Sequence, residues 1–239
     1  MHSTRGCKLQ PSIALNEKSF KKLDRQPMEL KLFMAISIIQ YGLGNVASIA
    51  NIIRKVGGEA ILVNQPAELI KADKIILPGV GSFDHAMQLL QDGGWLPVLH
   101  QKVLVEKRPI LGICLGMQLM CKSSEEGKLP GLGWIDASVH RFQFTSTQQL
   151  KVPHMGWNVT HAVKENQLLP HWDDSDPTRF YFVHSYYVRC THSEDILATT
   201  NYGGDFTTAF SHENMMGVQF HPEKSHRYGM QFFSNFIQL

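Results

Sequence analysis

Short apolar runs alternate with stretches of helical spacing from residue 34 to about residue 130. Residues 35–40 form an apolar run, and residues 45–55 place apolar side chains at helical spacing before the break at Gly57 and Gly58. The same alternation continues with predicted strands at 60–63, 74–77 and 110–113, a helical stretch around Glu68 and a helix over 95–107. It predicts βαβ units and a parallel sheet covered by helices on both faces.

The second half of the chain is rich in β-branched and aromatic residues and has turn signals between its short runs. This pattern predicts mixed or antiparallel strands. The predicted strands lie at 139–144, 158–162, 180–188, 196–200, 206–211 and 215–219. Ser225 is placed to cap a final helix that runs towards Leu239, with Tyr228, Phe232 and Phe236 on one face.

The composition is typical of one folded domain. The 239 residues are 43% hydrophobic and 18% charged, and no apolar run has the length of a membrane span. The four cysteines (Cys7, Cys114, Cys121 and Cys190) show neither CxxC nor CxxH spacing, which argues against a zinc site and a disulfide framework. We therefore expect a cytoplasmic protein without membrane attachment, metal or cofactor.

The charge is unevenly distributed along the chain. Residues 1–33 hold seven Lys and Arg against three Asp and Glu, whereas residues 34–239 hold 16 against 18. The second range lacks the basic surface that nucleic-acid binding requires. We predict a domain at 34–239 and an N-terminal extension at 1–33 that is disordered or accessory.

Cys114 lies between two glycines where an apolar run gives way to a helical pattern. Gly112 and Gly116 permit a tight strand-to-helix turn that presents the intervening side chain at the edge of a sheet. A thiol at the start of a helix is biased towards the thiolate, because the N–H groups and the helix dipole favour negative charge. The pattern is typical of a nucleophile, and a structural cysteine in a glycine-containing turn is the alternative.

A histidine and a carboxylate stand two residues apart about a hundred residues downstream. In an extended backbone His221 and Glu223 point the same way, and Pro222 stiffens the segment. A histidine oriented by a carboxylate can activate a thiol and protonate its leaving group. A lone pair of this kind is more often a surface pair, but the cysteine turn favours a triad. No further ligand stands at a spacing that suits a metal.

The segment Pro78-Gly79-Val80-Gly81 follows a predicted buried strand. Its glycines let the backbone turn N–H groups towards a ligand, which can stabilise an oxyanion in acyl transfer. A phosphate-binding turn is the alternative, although the Lys-Ser/Thr ending of a P-loop and the GxGxxG spacing are both missing.

Six ordered motifs resemble those of a known enzyme family. The cysteine turn, the Pro-Gly-Val-Gly loop and the His-Pro-Glu segment resemble class I, triad-type glutamine amidotransferases. Residues 41–48, 153–158 and 181–187 narrow the resemblance to the glutaminase subunits of imidazole glycerol phosphate synthase. It covers residues 34–239 and implies an α/β, flavodoxin-like three-layer fold. Such a fold has a central, mainly parallel sheet and additional antiparallel strands in the C-terminal half.

The resemblance implies roles for the residues that match family motifs. Glutamine would bind with its carboxamide at Cys114, and His221 with Glu223 would complete the triad that releases ammonia and forms glutamate. The backbone N–H groups of Leu115 and, after a peptide rearrangement, of Val80 would hold the oxyanion. The family positions that cradle glutamine correspond to Gly79, Gly81, Gln118, Ser185 and Tyr186.

The resemblance also implies a partner, because no acceptor domain for ammonia is recognisable in the sequence. In the family that partner is a (β/α)8-barrel cyclase, which forms a heterodimer with the glutaminase. It makes imidazole glycerol phosphate and an aminoimidazole carboxamide ribotide. Asn45, Trp157 and Lys224 lie in motifs that the family uses around the interface, and ordinary loop and core positions are their alternative interpretation.

Two other functions stay open at this point. Related glutaminases supply ammonia to amidotransferases that modify surface sugars. A catalytically silent interaction subunit would keep the fold, but the intact Cys114, His221 and Glu223 argue against it.

We predict that deletion of residues 2–33 leaves glutaminase activity unchanged, because no family motif lies in that segment. The measurement compares glutamine turnover by the full-length and truncated chains, each in complex with the partner subunit. A large loss of turnover in the truncated complex would contradict the assignment of these residues as accessory.

Overall fold

A mixed sheet of eleven strands and a second sheet of two strands lie within the residues that the structure, a computed structural model, describes, namely 35–169 and 177–239. The predicted extension at 1–33 and Met34 lie outside the described residues. The strands are β1 (Ile36–Ile39), β2 (Ala60–Val63), β3 (Lys74–Gly79), β4 (Ile110–Cys114), β5 (Ser123–Ser124), β6 (Ala137–Arg141), β7 (His154–Val159), β8 (His161–Ala162), β9 (Arg179–His184), β10 (Tyr186–Cys190), β11 (Ile196–Asn201), β12 (Asp205–His212) and β13 (Met215–Val218). The helices are α1 (Val46–Lys55), α2 (Phe83–Asp92), α3 (Trp95–His100), α4 (Leu115–Leu119) and α5 (His226–Gln238).

The parallel part of the main sheet has the strand order β2-β1-β3-β4-β13. The antiparallel strands β12, β10 and β6 continue the sheet, with β11 and β8 attached beside β12 and with β5 parallel to β6 at the far edge. Strands β7 and β9 form the separate antiparallel pair. The predicted combination of a mainly parallel sheet with antiparallel strands in the C-terminal half is confirmed.

Helices cover both faces of the parallel strands, as predicted. Because successive side chains of a strand point to opposite faces, Ile110 of β4 packs into one hydrophobic core and Leu111 into the other. The first core includes Phe83 of α2, and the second includes Ile49 of α1 and Phe232 of α5. None of the helices within 35–169 and 177–239 has the length and apolar character needed to cross a membrane.

Several predicted segments differ from the observed elements. The predicted strand at 158–162 is divided between the end of β7 and β8, and the helical stretch around Glu68 is a 3-10 helix, Pro66–Lys71. The predicted helix at 95–107 consists of α3 followed by a π-helical turn, Gln101–Val105. The predicted strand at 180–188 is two strands, because the chain leaves the small sheet at Ser185 and enters the main sheet at Tyr186. Helix α2, to which the sequence analysis assigned no element, begins directly after the glycine loop.

Ser225 occupies the predicted N-cap position of α5, but its side chain does not cap the helix. The hydroxyl instead donates to the His221 carbonyl oxygen at 2.6 Å and accepts from the Tyr181 N–H at 3.0 Å. The Ser225 hydroxyl is therefore engaged in contacts outside α5 and is not available to the first N–H groups of the helix.

Lys74 is a buried charge at the start of β3, with an exposed fraction of only 2%. Its ammonium group donates to the carbonyl oxygens of Phe236 at 3.2 Å and Ile237 at 2.6 Å. The last carbonyls of a helix have no partners within the helix, and a cation there is favourable. Lys74 therefore fastens the C-terminus of α5 to the sheet.

We predict that Lys74→Met lowers the free energy of unfolding by about 1–3 kcal/mol, because two helix carbonyls lose their charged donor while the apolar stem keeps its volume. The measurement is urea unfolding followed by circular dichroism. The matched control is Lys71→Met, which removes a charge from an exposed position. Equal stability of the two variants would contradict the assigned role.

Candidate active site

The cysteine elbow, residues 112–116, joins β4 to α4. Cys114 has φ 54° and ψ −109°, which places a non-glycine residue in the left-handed half of backbone space. A side chain on Gly116 would collide with the Leu77 carbonyl oxygen of β3. A Cβ on Gly112 would lie 2.7 Å from the Gly116 carbonyl oxygen. Both glycines are therefore required by the close approach of α4 to the sheet, as the sequence predicted.

The glycine loop, residues 79–81, lies beside the elbow because β3 and β4 are parallel and in register. Gly79 pairs with Cys114, so Val80 and Leu115 each follow one member of the same pair at the carboxyl edge of the sheet. Gly81 has φ 100°, a conformation that side chains disfavour. Gly79 is buried, and a Cβ there would lie 2.9 Å from the Leu115 Cβ.

His221 reaches the elbow from β13, which pairs in parallel with β4. Its backbone N–H donates to the Tyr181 carbonyl oxygen at 2.9 Å. Its Nδ1 lies 2.8 Å from Oε1 of Glu223, and both side chains are buried. The sequence analysis expected an extended backbone for this pair. The residues meet instead across a 3-10 turn, Pro222–Lys224.

The surroundings of His221 favour its protonated form. Burial lowers its pKa, but the neighbouring Cys114 sulfur and the Glu223 carboxylate outweigh burial and raise the pKa to about 10. Nε2 of His221 and Oε2 of Glu223 are both buried and have no hydrogen-bond partner within the described residues. The carboxylate therefore holds Nδ1 of the imidazole, and Nε2 is the nitrogen that can transfer a proton.

A cleft of about 340 Å³ opens above the elbow. Of the predicted site residues it is lined by Val80, Gly81, Cys114, Leu115, Gln118, Ser185, Tyr186, His221 and Lys224. Gly79 and Glu223 lie behind its wall rather than in it. The structure thus brings together segments from the N-terminal and C-terminal halves of the chain around one thiol.

The cleft also contains two ionisable residues that the sequence analysis did not assign to it. Glu126 is half-buried; burial raises its pKa, while one oxygen accepts from the Phe83 N–H at 2.9 Å. His184 is the last residue of β9, and burial lowers its pKa to about 3. No sequence signal marked Glu126, which follows the two-residue strand β5.

A third missed residue, Gln219, lies beneath the cleft. Its side chain is fully buried, and its Nε2 lies 3.7 Å from the Cys114 sulfur. The sequence could have indicated Gln219, because alternate residues of an extended segment point to the same side and Gln219 is two residues before His221.

The three predicted interface residues lie at the surface. Asn45 is exposed and caps α1 by accepting from the Ser48 N–H at 3.3 Å. Trp157 is 46% exposed and stacks on His226, with ring centroids 5.5 Å apart. Lys224 lies between the active-site cleft and a second cavity of about 370 Å³, which Ser48 and His226 also line.

Within residues 35–169 and 177–239, no cluster of three or more His, Cys, Asp or Glu is placed to hold a metal ion. The cleft itself presents a thiol, an imidazole and backbone N–H groups. That set can carry out acyl transfer through a thioester.

Solved structures that resemble this chain share its fold at low sequence identity. A glutamine amidotransferase from Thermotoga maritima has a TM-score of 0.56 and 17% identity, and the match covers 86% of this chain and 83% of the other. PurLQS from the same organism has a TM-score of 0.64 and 14% identity, and that match covers 86% and 98%.

Sequence comparison is more specific. The family model for glutamine amidotransferase class-I matches residues 37–239. The chain is 51% identical over 203 residues to imidazole glycerol phosphate synthase subunit HisH 2 of Methanococcus maripaludis, covering 85% of this chain and 98% of the relative. It is 46% identical over 204 residues to the protein of the same name from Pseudomonas aeruginosa, covering 85% and 99%. The chain therefore belongs to the class-I glutamine amidotransferase family and, within it, to the HisH proteins.

Proposed function

We propose that this protein is the glutaminase subunit of an imidazole glycerol phosphate synthase. It hydrolyses glutamine to glutamate and ammonia and passes the ammonia to a cyclase partner. The observation that carries the proposal is the placement of Cys114, in a strained elbow, in the same cleft as an imidazole held by a buried carboxylate. The names of the relatives supply the identity of the acceptor reaction.

Cys114, His221 and Glu223 form the catalytic triad in this proposal. The thiolate attacks the side-chain carbonyl carbon of glutamine and forms a carbon–sulfur bond. The carbon–nitrogen bond then breaks as His221 gives its proton to the leaving nitrogen, which departs as ammonia. Water, deprotonated by His221, hydrolyses the thioester, which releases glutamate and restores the thiolate and the protonated imidazole. The raised pKa of His221 supports this order, because the proton is in place before ammonia leaves.

The oxyanion of each tetrahedral intermediate is held by backbone N–H groups. Leu115 supplies one group as the first residue of α4, and Val80 supplies the other from the glycine loop. Gly81 permits the peptide rearrangement that brings the Val80 N–H into the cleft, because its positive φ is accessible without strain.

The rest of the cleft recognises the amino-acid end of glutamine. Glu126 is the carboxylate side chain that lines the cleft, and it suits the α-ammonium group of the substrate. Ser185 and Tyr186 line the cleft where the chain passes from one sheet to the other. Gln118 lines it from α4.

The partner docks on the face that carries Asn45, Trp157 and Lys224. Trp157 gives this face an exposed aromatic ring, a side chain that is enriched at protein interfaces. Lys224 links the face to the cleft, since it lines both cavities. In this proposal the partner is a (β/α)8-barrel cyclase that forms a heterodimer with this chain and receives ammonia from the cleft.

A second candidate keeps the glutaminase chemistry and changes the acceptor. Both relatives named above carry the number 2 in their names. Related glutaminases supply ammonia to amidotransferases that modify surface sugars, and a second glutaminase of this kind is the alternative that the experiment below distinguishes.

We predict that Cys114→Ala lowers glutamine hydrolysis roughly a thousandfold or more, because no other described thiol lines the cleft. Glutamate release is measured with the partner protein present. The matched control is Cys190→Ala, which removes a half-buried thiol outside the cleft and should keep full activity. Glutaminase activity in Cys114→Ala would exclude the proposed nucleophile.

We also predict that glutamine turnover by the isolated chain is slow and increases when the barrel protein is added together with its ribotide ligand. Glutamate and imidazole glycerol phosphate should then form in equal amounts, measured by chromatography of the reaction mixture. Stimulation by a sugar amidotransferase, without stimulation by the cyclase, would assign the chain to the second candidate. Rapid hydrolysis without any partner would contradict channelled transfer of ammonia.

A further inference from the structure

Two glutamine side chains link the wall of the cleft to the nucleophile. Gln118 lies on α4, one turn after Cys114, and Gln219 is fully buried beyond the end of β13. Nε2 of Gln118 donates to the Tyr186 carbonyl oxygen at 3.1 Å and to Oε1 of Gln219 at 2.9 Å. Nε2 of Gln219 in turn lies 3.7 Å from the Cys114 sulfur.

The Tyr186 carbonyl fixes the orientation of both amides. A backbone carbonyl oxygen only accepts hydrogen bonds, so the Gln118 atom beside it must be the nitrogen. The same nitrogen faces Gln219, which must therefore present its oxygen. The nitrogen of Gln219 is then the atom that faces the sulfur, and the chain of hydrogen bonds has one consistent direction.

With the amides in this orientation, Gln118 has one polar atom left for a ligand, its Oε1. Both of its N–H groups are used within the protein, and its Oε1 makes no hydrogen bond with a described residue. Because Gln118 lines the cleft, it offers a ligand an acceptor and no donor. Such a group binds the ammonium or carboxamide N–H groups of glutamine and does not bind a carboxylate.

The other end of the chain acts on the nucleophile. An N–H donor at the sulfur stabilises the thiolate more than the thiol, because a hydrogen bond to an ionised acceptor is the stronger one. Within the described part of the chain, the ionisable groups that interact with the sulfur are His221 and the Tyr41 hydroxyl, and Tyr41 donates its own proton to the Pro78 carbonyl oxygen at 2.9 Å. Gln219 is thus a neutral donor that supplements the imidazole.

We propose that Gln219 is a positioning residue with two effects, which are to fix Gln118 as a hydrogen-bond acceptor towards the substrate and to stabilise the Cys114 thiolate. The inference rests on the proposed glutaminase function and goes beyond it, since it assigns a role to a residue outside the triad and the cleft wall. The two effects are separable by experiment.

The effect on the thiolate is tested without glutamine. Gln219→Met removes the donor at similar volume, and Gln219→Glu keeps an acceptor for Gln118 but replaces the amide donor by a carboxyl group. The rate of alkylation by iodoacetamide is measured against pH on the Cys114 peptide by mass spectrometry, which separates it from the other thiols. We expect the midpoint of the profile to move to higher pH in both variants.

The matched control is Gln231→Glu, which makes the same chemical change on the exposed face of α5. Its alkylation profile should coincide with that of the unchanged chain. A folded Gln219→Met variant whose profile also coincides would overturn the assigned effect on the thiolate. If Gln219→Met fails to fold, as judged by circular dichroism, Gln219→Leu, which also lacks the donor and adds no charge, carries the same test.

The effect on substrate binding is tested in the complex with the partner protein. We expect Gln118→Met and Gln219→Met each to raise the KM for glutamine about fivefold, the size expected for one lost hydrogen bond. We expect Gln219→Glu, which still accepts from Gln118, to retain a KM near that of the unchanged chain while its kcat falls.

A double variant decides whether Gln219 acts on the substrate through Gln118. If it does, Gln118→Met/Gln219→Met has the same KM as Gln118→Met alone, because the second change removes support from a group that is already missing. Independent, multiplying increases in KM would overturn that part of the inference. No glutamine turnover by the unchanged complex would instead refute the proposed function, while the alkylation profiles would still test the contact with the sulfur.

Discussion

The close approach of helix α4 to strands β3 and β4 is the constraint on which the rest of the site depends. The helix lies so near the sheet that neither Gly112 nor Gly116 can carry a side chain without a clash. Cys114 turns the chain from strand to helix within one residue and takes a positive φ to do so. A residue in such a conformation costs about 1–3 kcal/mol, and buried neighbours on both sides of β4 hold it there.

The parallel arrangement of the strands brings the other site residues to the strained elbow. The carboxyl ends of β3, β4 and β13 meet at one edge of the sheet, so Val80, Cys114 and His221 converge although they are far apart in sequence. The antiparallel half supplies the opposite wall. Ser185 stands where the chain passes from the small sheet to the main one, and this change of sheet brings the segment over the thiol.

The parts of the fold and site that the sequence predicted are those determined by local rules. The strand over 60–63, the helix over 45–55 and the cysteine elbow follow from apolar spacing and from where glycine is needed. The parts that were missed or wrong depend on contacts that are distant in sequence. Ser225 has the sequence of a helix cap, but Tyr181 and the His221 carbonyl use its hydroxyl. Glu126 lies on a turn after a two-residue strand, where no periodicity indicates which way a side chain points. Gln219 stands two residues before His221 in the sequence, but its contacts with Gln118 and the thiol join segments about a hundred residues apart.

The distribution of protons among the buried histidines explains why one imidazole near the sulfur can act as the acid. Nδ1 of His184 donates to the Tyr186 carbonyl oxygen, so its Nε2 accepts from His154, and burial holds both rings neutral. His221 alone among these three has a carboxylate partner and a raised pKa. Besides the carboxylate, the Cys114 sulfur interacts with this imidazole and raises its pKa. The ring that carries the proton is therefore the one beside the nucleophile, and in the proposed reaction it gives that proton to the departing nitrogen of glutamine.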